Sequence, residues 1–271
     1  MNPTKSALSA FCMKKSLCGI SLCALMVAPG AFAQVIVNEQ FNYADQTALD
    51  ANWNLGANNT LTLNPATGNA SIAGTGTNPN IWDATTFSLT PSDQNQIRLT
   101  ADISAPGNAG SVGTVGLRTG ANPLFEMGLY RIFDNTQTGP DTTAILSPSG
   151  TGIGVRTINI GTDLNGQDWV KMGDYYNGSA RFEATFTATS VTTRIDLNID
   201  GTWDLSYTEN GPAQIGAFTD LRVHSPAAST AGAGGITVDN IVLEVVSVPE
   251  PSTYALLGLG GFLLAAARRR K

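Results

Sequence analysis

Apolar residues recur at every second position over short stretches of this chain, and clusters of Gly, Pro, Asn and Asp separate the stretches. That period belongs to strands with one face buried and one face wet. The cleanest case is Ile97, Leu99, Ala101 and Ile103, with Arg98, Thr100 and Asp102 turned the other way. Phe125, Met127 and Leu129 alternate with Glu126, Gly128 and Tyr130, and Phe182, Ala184, Phe186 and Ala188 with Arg181, Glu183, Thr185 and Thr187. Ile195, Leu197 and Ile199 form a further apolar face. Asp200-Gly201 then suits a tight turn with φ > 0, and Trp203, Leu205 and Tyr207 return, so a β-hairpin with matching apolar faces is predicted. On its wet side Asp196, Asn198 and Asp200 serve as solvating groups. Val35 and Val37 open the series, and Ile236, Val238, Ile241, Leu243 and Val245 close it.

Helical periodicity is poor throughout this part. A chain of strands must pack sheet on sheet or close into a barrel to hide its apolar faces. The fixed repeat that a β-helix needs is missing. The fold class expected is all-β, an antiparallel β-sandwich of jelly-roll type.

The two ends break the pattern. At the front, Lys5, Lys14 and Lys15 precede an uncharged run from Ser16 to Ala28, and Ala31-Phe-Ala33 is a small-x-small cleavage site. Residues 1–33 therefore read as a signal peptide cut after Ala33, with Gln34 the first mature residue. At the back, Pro249, Glu250 and Pro251 stop the last strand, because proline lacks a donor and fixes φ. An uncharged run from Tyr254 to Ala267 follows, then Arg268, Arg269, Arg270 and Lys271. This is a short transmembrane helix with a cytoplasmic stop. At 1.5 Å per residue it reaches about 21 Å, against a hydrocarbon core of about 30 Å.

A short acidic-proline motif, a short apolar helix and an arginine cluster, in that order, resemble the PEP-CTERM sorting signal of bacterial envelope proteins. The resemblance covers residues 248–271 and rests on Pro249, Glu250 and Pro251. It implies recognition by an exosortase, an intramembrane protease, and passage through the inner membrane to the cell surface or beyond. An ordinary single-pass anchor is the alternative, and it too places residues 34–247 outside the cytoplasm. The stretch from Glu39 to Trp53 and the stretch from Val238 to Leu243 resemble the first and last strands of concanavalin-like jelly rolls. In that family those two strands lie side by side.

Composition narrows the function further. Cys12, Cys18 and Cys23 all lie in or before the apolar part of the signal, so the mature protein has neither disulfides nor thiol chemistry. The mature region carries eight basic residues against twenty acidic ones, a net charge of −12. Such a surface repels phosphate backbones, and nucleic acid is excluded as a partner. With one histidine, His224, a multi-histidine metal centre is impossible. No nucleophile elbow accompanies it. The closely spaced carboxylates that glycoside hydrolysis needs are absent from any one strand, so no catalytic residue is assigned.

Two binding features remain. Trp169, Tyr175 and Tyr176, beside Asp168, Asp174 and Asn177, are the densest aromatic cluster and the candidate glycan contact. In any sandwich such residues also serve as core and rim. Asp163, Asn165 and Asp168 surround a glycine in an oxygen-rich loop, the candidate site for a structural calcium; no other cofactor is implied. The sequence thus describes an exported structural or interaction protein that is not an enzyme. A carbohydrate-binding or polysaccharide-cleaving sandwich, with extracellular polysaccharide as partner, is the alternative.

Overall fold

The computed structural model describes residues 32–55, 61–72, 80–82, 87–104, 113–120, 122–131, 151–157, 168–174, 178–210, 215–224, 236–248 and 268. The chain forms two compact units. One is Gly30–Pro251, which holds every described residue except Arg268; the other comprises Met1–Pro29 and Ser252–Lys271.

Strands dominate the larger unit. In chain order they are β1 (Phe32–Glu39), then the short helix α1 (Gln46–Asp50), β2 (Trp53–Leu55), β3 (Leu61–Asn64), β4 (Asn69–Ile72) and β5 (Asn80–Trp82). The middle of the chain supplies β6 (Asn95–Ser104), β7 (Gly113–Thr119), β8 (Asn122–Arg131), β9 (Thr151–Thr157) and β10 (Asp168–Asp174). The last five are β11 (Ser179–Phe186), β12 (Ser190–Leu197), β13 (Leu205–Asn210), β14 (Asp220–His224) and β15 (Ile236–Ser247).

They build two sheets. The first runs β13-β12-β11-β6-β15-β4-β3, with β1 also on β15; the second runs β10-β9-β8-β7-β14-β5-β2. Every strand pairing is antiparallel among the described residues. The protein is an antiparallel β-sandwich of jelly-roll type. Strands β1 and β15 pair directly, from Phe32 opposite Ser247 to Glu39 opposite Ile241, so the first and last strands lie side by side. Of the stretch Glu39–Trp53 likened to a first strand, only Glu39 belongs to β1, and the rest runs through α1 to β2 of the other sheet.

The alternation read from the sequence sets the core. Ile97, Leu99, Ala101 and Ile103 are buried, as are Phe125, Met127, Leu129, Phe182, Ala184 and Phe186. Phe186 joins the layers, with Phe125 edge-on at 4.9 Å and Phe218 at 4.8 Å between ring centroids. Such edge-to-face pairs add about 0.5–1.5 kcal/mol each beyond their burial. On the outer face of the first sheet, three arginines each meet a carboxylate directly across the ladder. Arg98 is 2.5 Å from Glu244, Arg181 is 2.8 Å from Asp102, and Arg194 pairs with Glu183.

The structure departs from the simple alternation in three places. In β1 the register shifts between Val35 and Val37, so Val37 enters the core while Val35 stays exposed; a bulge reverses the side-chain order. The β12–β13 hairpin exists, with Ile195 opposite Leu205 and Thr193 opposite Tyr207, but the strands stop at Leu197 and resume at Leu205. Asn198 and Ile199 take left-handed φ of 68° and 55°, and Ile199 belongs to the turn instead of the strand. Asp196 causes this. Its carboxylate, 2% exposed, accepts the N–H groups of Asp200 and Gly201 at 3.0 and 2.8 Å, so it organises the turn from inside instead of solvating a wet face. Trp203 lies outside β13, with the Arg194 guanidinium 4.6 Å from its ring centre.

Candidate functional site

Glycine placement opens up the outer face of the second sheet. Gly116 on β7 sits between Glu126 on β8 and Arg222 on β14 in one cross-strand row. A Cβ at 116 would collide with the Phe125 carbonyl oxygen and stand 3.1 Å from Cα and Cγ of Glu126. Glycine inside a strand marks this kind of close approach. Neighbouring strands are about 4.8 Å apart, so Glu126 and Arg222 are separated by about two such spacings. The bare backbone at Gly116 lets their side chains meet above it.

They meet closely. Arg222 Nη2 is 2.5 Å from Glu126 Oε1, and His224 Nδ1 is 3.3 Å from the same oxygen. Glu126 is 0% exposed and Arg222 5%, although both project away from the hydrophobic core. The sequence pattern placed Glu126 on a wet face, but here it is a buried ion-pair partner. A desolvated carboxylate has to be compensated in this way. No local motif announces the cluster, because its members come from separate strands. The only signal was a pair of glycines, Gly116 and Gly128, inside strands; Gly128 has φ of 148° and faces the Gly113 carbonyl oxygen.

The same register extends the row. Arg156 on β9 is opposite Glu126, and Trp169 on β10 is opposite Arg156. Of the predicted glycan contacts, Trp169 therefore occupies a row position with the Glu126–Arg222 pair, whereas Tyr175 and Tyr176 lie outside the described residues. Asp168 is the first residue of β10, opposite Thr157; Asp163 and Asn165 lie outside the described residues. No group of three or more metal-binding side chains occurs among the described residues.

A second buried carboxylate closes the end of the sandwich near the N-terminus. Glu39 accepts hydrogen bonds from the Phe41 N–H and the Tyr43 hydroxyl, both at 2.5 Å, and from the Trp53 indole at 3.1 Å. It steadies Phe41, whose φ is 51°. Burial, reinforced by the hydrogen bond to Glu39, raises the Tyr43 phenol above its ordinary value. At the neighbouring bulge of β15, burial pushes the Asp239 carboxyl up, and the charges of Asp102 and Glu39 add to the effect. Asp102 is held by Arg181 through two hydrogen bonds and by the Asn240 amide at 2.9 Å. Its hydrogen bond holds the Arg181 guanidinium above its usual value.

Of the residues expected at the signal-cleavage site, Ala33 lies on β1. Ala33 pairs with Val246 and Phe32 with Ser247, while Ala31 lies outside the described residues. The Val248 N–H donates to the Gln94 carbonyl at 2.7 Å, the last described contact before the proline motif. Pro249, Glu250, Pro251 and the apolar run are outside the described residues, as are Arg269, Arg270 and Lys271; Arg268 is described and exposed. No helix among the described residues is long and apolar enough to cross a membrane.

Fold and termini together define a β-sandwich that carries a separate C-terminal address. Residues 247–271 match the PEP-CTERM protein-sorting motif, and the chain carries that motif. It implies export across the membrane and processing by an exosortase. No curated protein matches the chain. Among solved structures, the chain is similar to the CBM2 module of the Lactobacillus casei BL23 phage J-1 evolved Dit, with 12% identity and a TM-score of 0.49, over 81% of this chain and 99% of that one. It is similar to the VIP36 exoplasmic/lumenal domain in its Ca2+/Man2-bound form, with 11% identity and a TM-score of 0.41, over 81% and 90%. It also resembles a mutant of the GH43 protein BlXynB from Bacillus licheniformis, with 11% identity and a TM-score of 0.47, over 78% of this chain and 39% of that one.

Proposed function

We propose that the mature sandwich is a non-enzymatic structural or interaction protein of the cell surface or extracellular matrix, exported behind a signal peptide and delivered by its C-terminal motif. The observation that carries this reading is a boundary. Strand β15 ends at Ser247, the residue at which the match to the sorting motif begins, so the address follows directly on the last strand. The acid–histidine constellation of the described residues supports the non-enzymatic part, since Glu126 is engaged by Arg222 inside the protein. Replacing Pro249 and Glu250 by alanine and fractionating the cells tests the delivery. An unprocessed form held in the inner membrane is expected; unchanged release and mass would refute it.

A second reading, carbohydrate binding at the β9–β10 edge of the second sheet, is favoured by the register of Trp169 opposite Arg156. Aromatic platforms beside a few polar groups are how such sites recognise sugars. A glycan array with the secreted protein separates the two. A clean negative favours the structural role, and a defined saccharide hit favours binding.

A further inference from the structure

The basic residues of this acidic protein are not evenly spread. On the outer face of the first sheet, Arg98, Arg181 and Arg194 each have a carboxylate across the ladder. The second sheet differs. Its outer-face register positions bring together Arg118, Arg156, Lys171, Arg222 and His224, with Glu126, Asp174 and Asp220 as the acids. Glu126 is taken up by Arg222 and His224.

Arg118 stands apart. It projects from β7 on the side opposite the core residue Leu117 and is 6% exposed. Its Nε has no hydrogen-bond partner, and no ion pair to Arg118 occurs among the described residues. Asp220 is directly across the ladder, but its carboxylate accepts the Thr219 hydroxyl at 2.7 Å and leaves the guanidinium to its own side. A guanidinium this buried requires an anionic acceptor, and a planar carboxylate matches its fork. Arg118 stands at the edge of this face, followed at once by the exposed Thr119 and Gly120 of the β7–β8 corner. The Gly120 N–H donates to Thr219 Oγ1 at 2.9 Å and fixes the rim beside it.

We infer that the rim of this face, centred on Arg118, binds the carboxylate of an acidic saccharide, a uronic-acid sugar. The inference rests on the carbohydrate-binding reading and deepens it by naming the ligand's charge. Arg118 forms the bidentate contact. The negative net charge of the rest of the protein is screened beyond about 8 Å at physiological salt, so the contact at Arg118 itself decides.

The test uses the processed protein released from cells that express the full chain. Titration with a galacturonate oligosaccharide, set against a neutral galactose oligosaccharide of the same length, is followed by calorimetry. Saturable binding of the acidic sugar only is expected. Binding should weaken at least about tenfold in Arg118→Gln, as loss of a charge-assisted bidentate contact requires. Arg98→Gln, on the other sheet, should bind like wild type. Arg118→Lys keeps the charge and loses the fork. It should also bind more weakly, and it decides the matter if Arg118→Gln does not fold. Equal binding of both sugars, or undiminished binding by the folded Arg118 variants, overturns the acidic-ligand inference while carbohydrate binding stands. Binding of neither sugar overturns this inference, and a negative glycan array in addition removes the reading beneath it.

Discussion

Glu126→Gln is the sharpest perturbation of the second sheet. The carboxylate is fully buried, 2.5 Å from the Arg222 guanidinium and 3.3 Å from the His224 ring. Glutamine keeps the shape and removes the charge, so the buried Arg222 loses the charged half of this pair. Breaking a buried pair in this way costs about 3–5 kcal/mol. For a domain of this size, each kcal/mol shifts Tm by about 2–4 °C, so a fall of about 6–20 °C is expected. Replacing both partners with apolar residues, Glu126→Leu with Arg222→Met, should recover most of the loss, because no charge is then stranded. Urea and thermal unfolding of the secreted protein compare both variants with wild type. If Glu126→Gln unfolds within about 1 kcal/mol of wild type, the carboxylate does not carry the charge of Arg222, and the electrostatic account of this face is wrong.

Four further outcomes follow from other parts of the molecule. Gly116→Ala forces a Cβ against the Phe125 carbonyl and the Glu126 side chain, and should cost about 1–3 kcal/mol by overpacking, read by the same urea titration. Tyr43 ionises at higher pH in the folded than in the unfolded state, so its stabilisation is complete below pH about 10 and is lost as pH rises further; Tyr43→Phe should flatten that alkaline slope in unfolding measured against pH. The folded-state pKa of Asp239 is also raised, so stability is spent as pH climbs through the carboxylate range above its ordinary value, and Asp239→Asn should remove that dependence. If Asp163, Asn165 and Asp168 hold calcium, EDTA lowers Tm and added calcium restores it, whereas an unchanged Tm removes the metal from the proposal.

Much of the fold was legible because a half-buried sheet writes its face into alternate positions. Ile97 to Ile103, Phe125 to Leu129 and Phe182 to Phe186 all sit where the pattern put them. That the first and last strands pair was also within reach, through the likeness of the two end segments to jelly rolls, although the first strand lies at Phe32–Glu39 and the stretch to Trp53 holds α1. The pattern failed where one residue changed the local count. The bulge in β1 exposed Val35, and the left-handed turn at Asn198 and Ile199 withdrew Ile199 from its strand. Alternation assumes an uninterrupted pleat, and hydrogen bonding by Asp196 to the turn interrupts it.

By itself the sequence determined the all-β class, the faces of the long strands, the confinement of the cysteines to the first 23 residues and the terminal address, since each is carried by adjacent or regularly spaced residues. Only the tertiary structure decided that Glu126, Arg222 and His224 form one buried cluster, that Gly116 is the gap that admits it, and that Arg118 shares their sheet face. Those relations depend on the lateral order β8-β7-β14. Two of these strands are neighbours in the chain and the third arrives from far along it, so no local spacing could encode where their side chains meet.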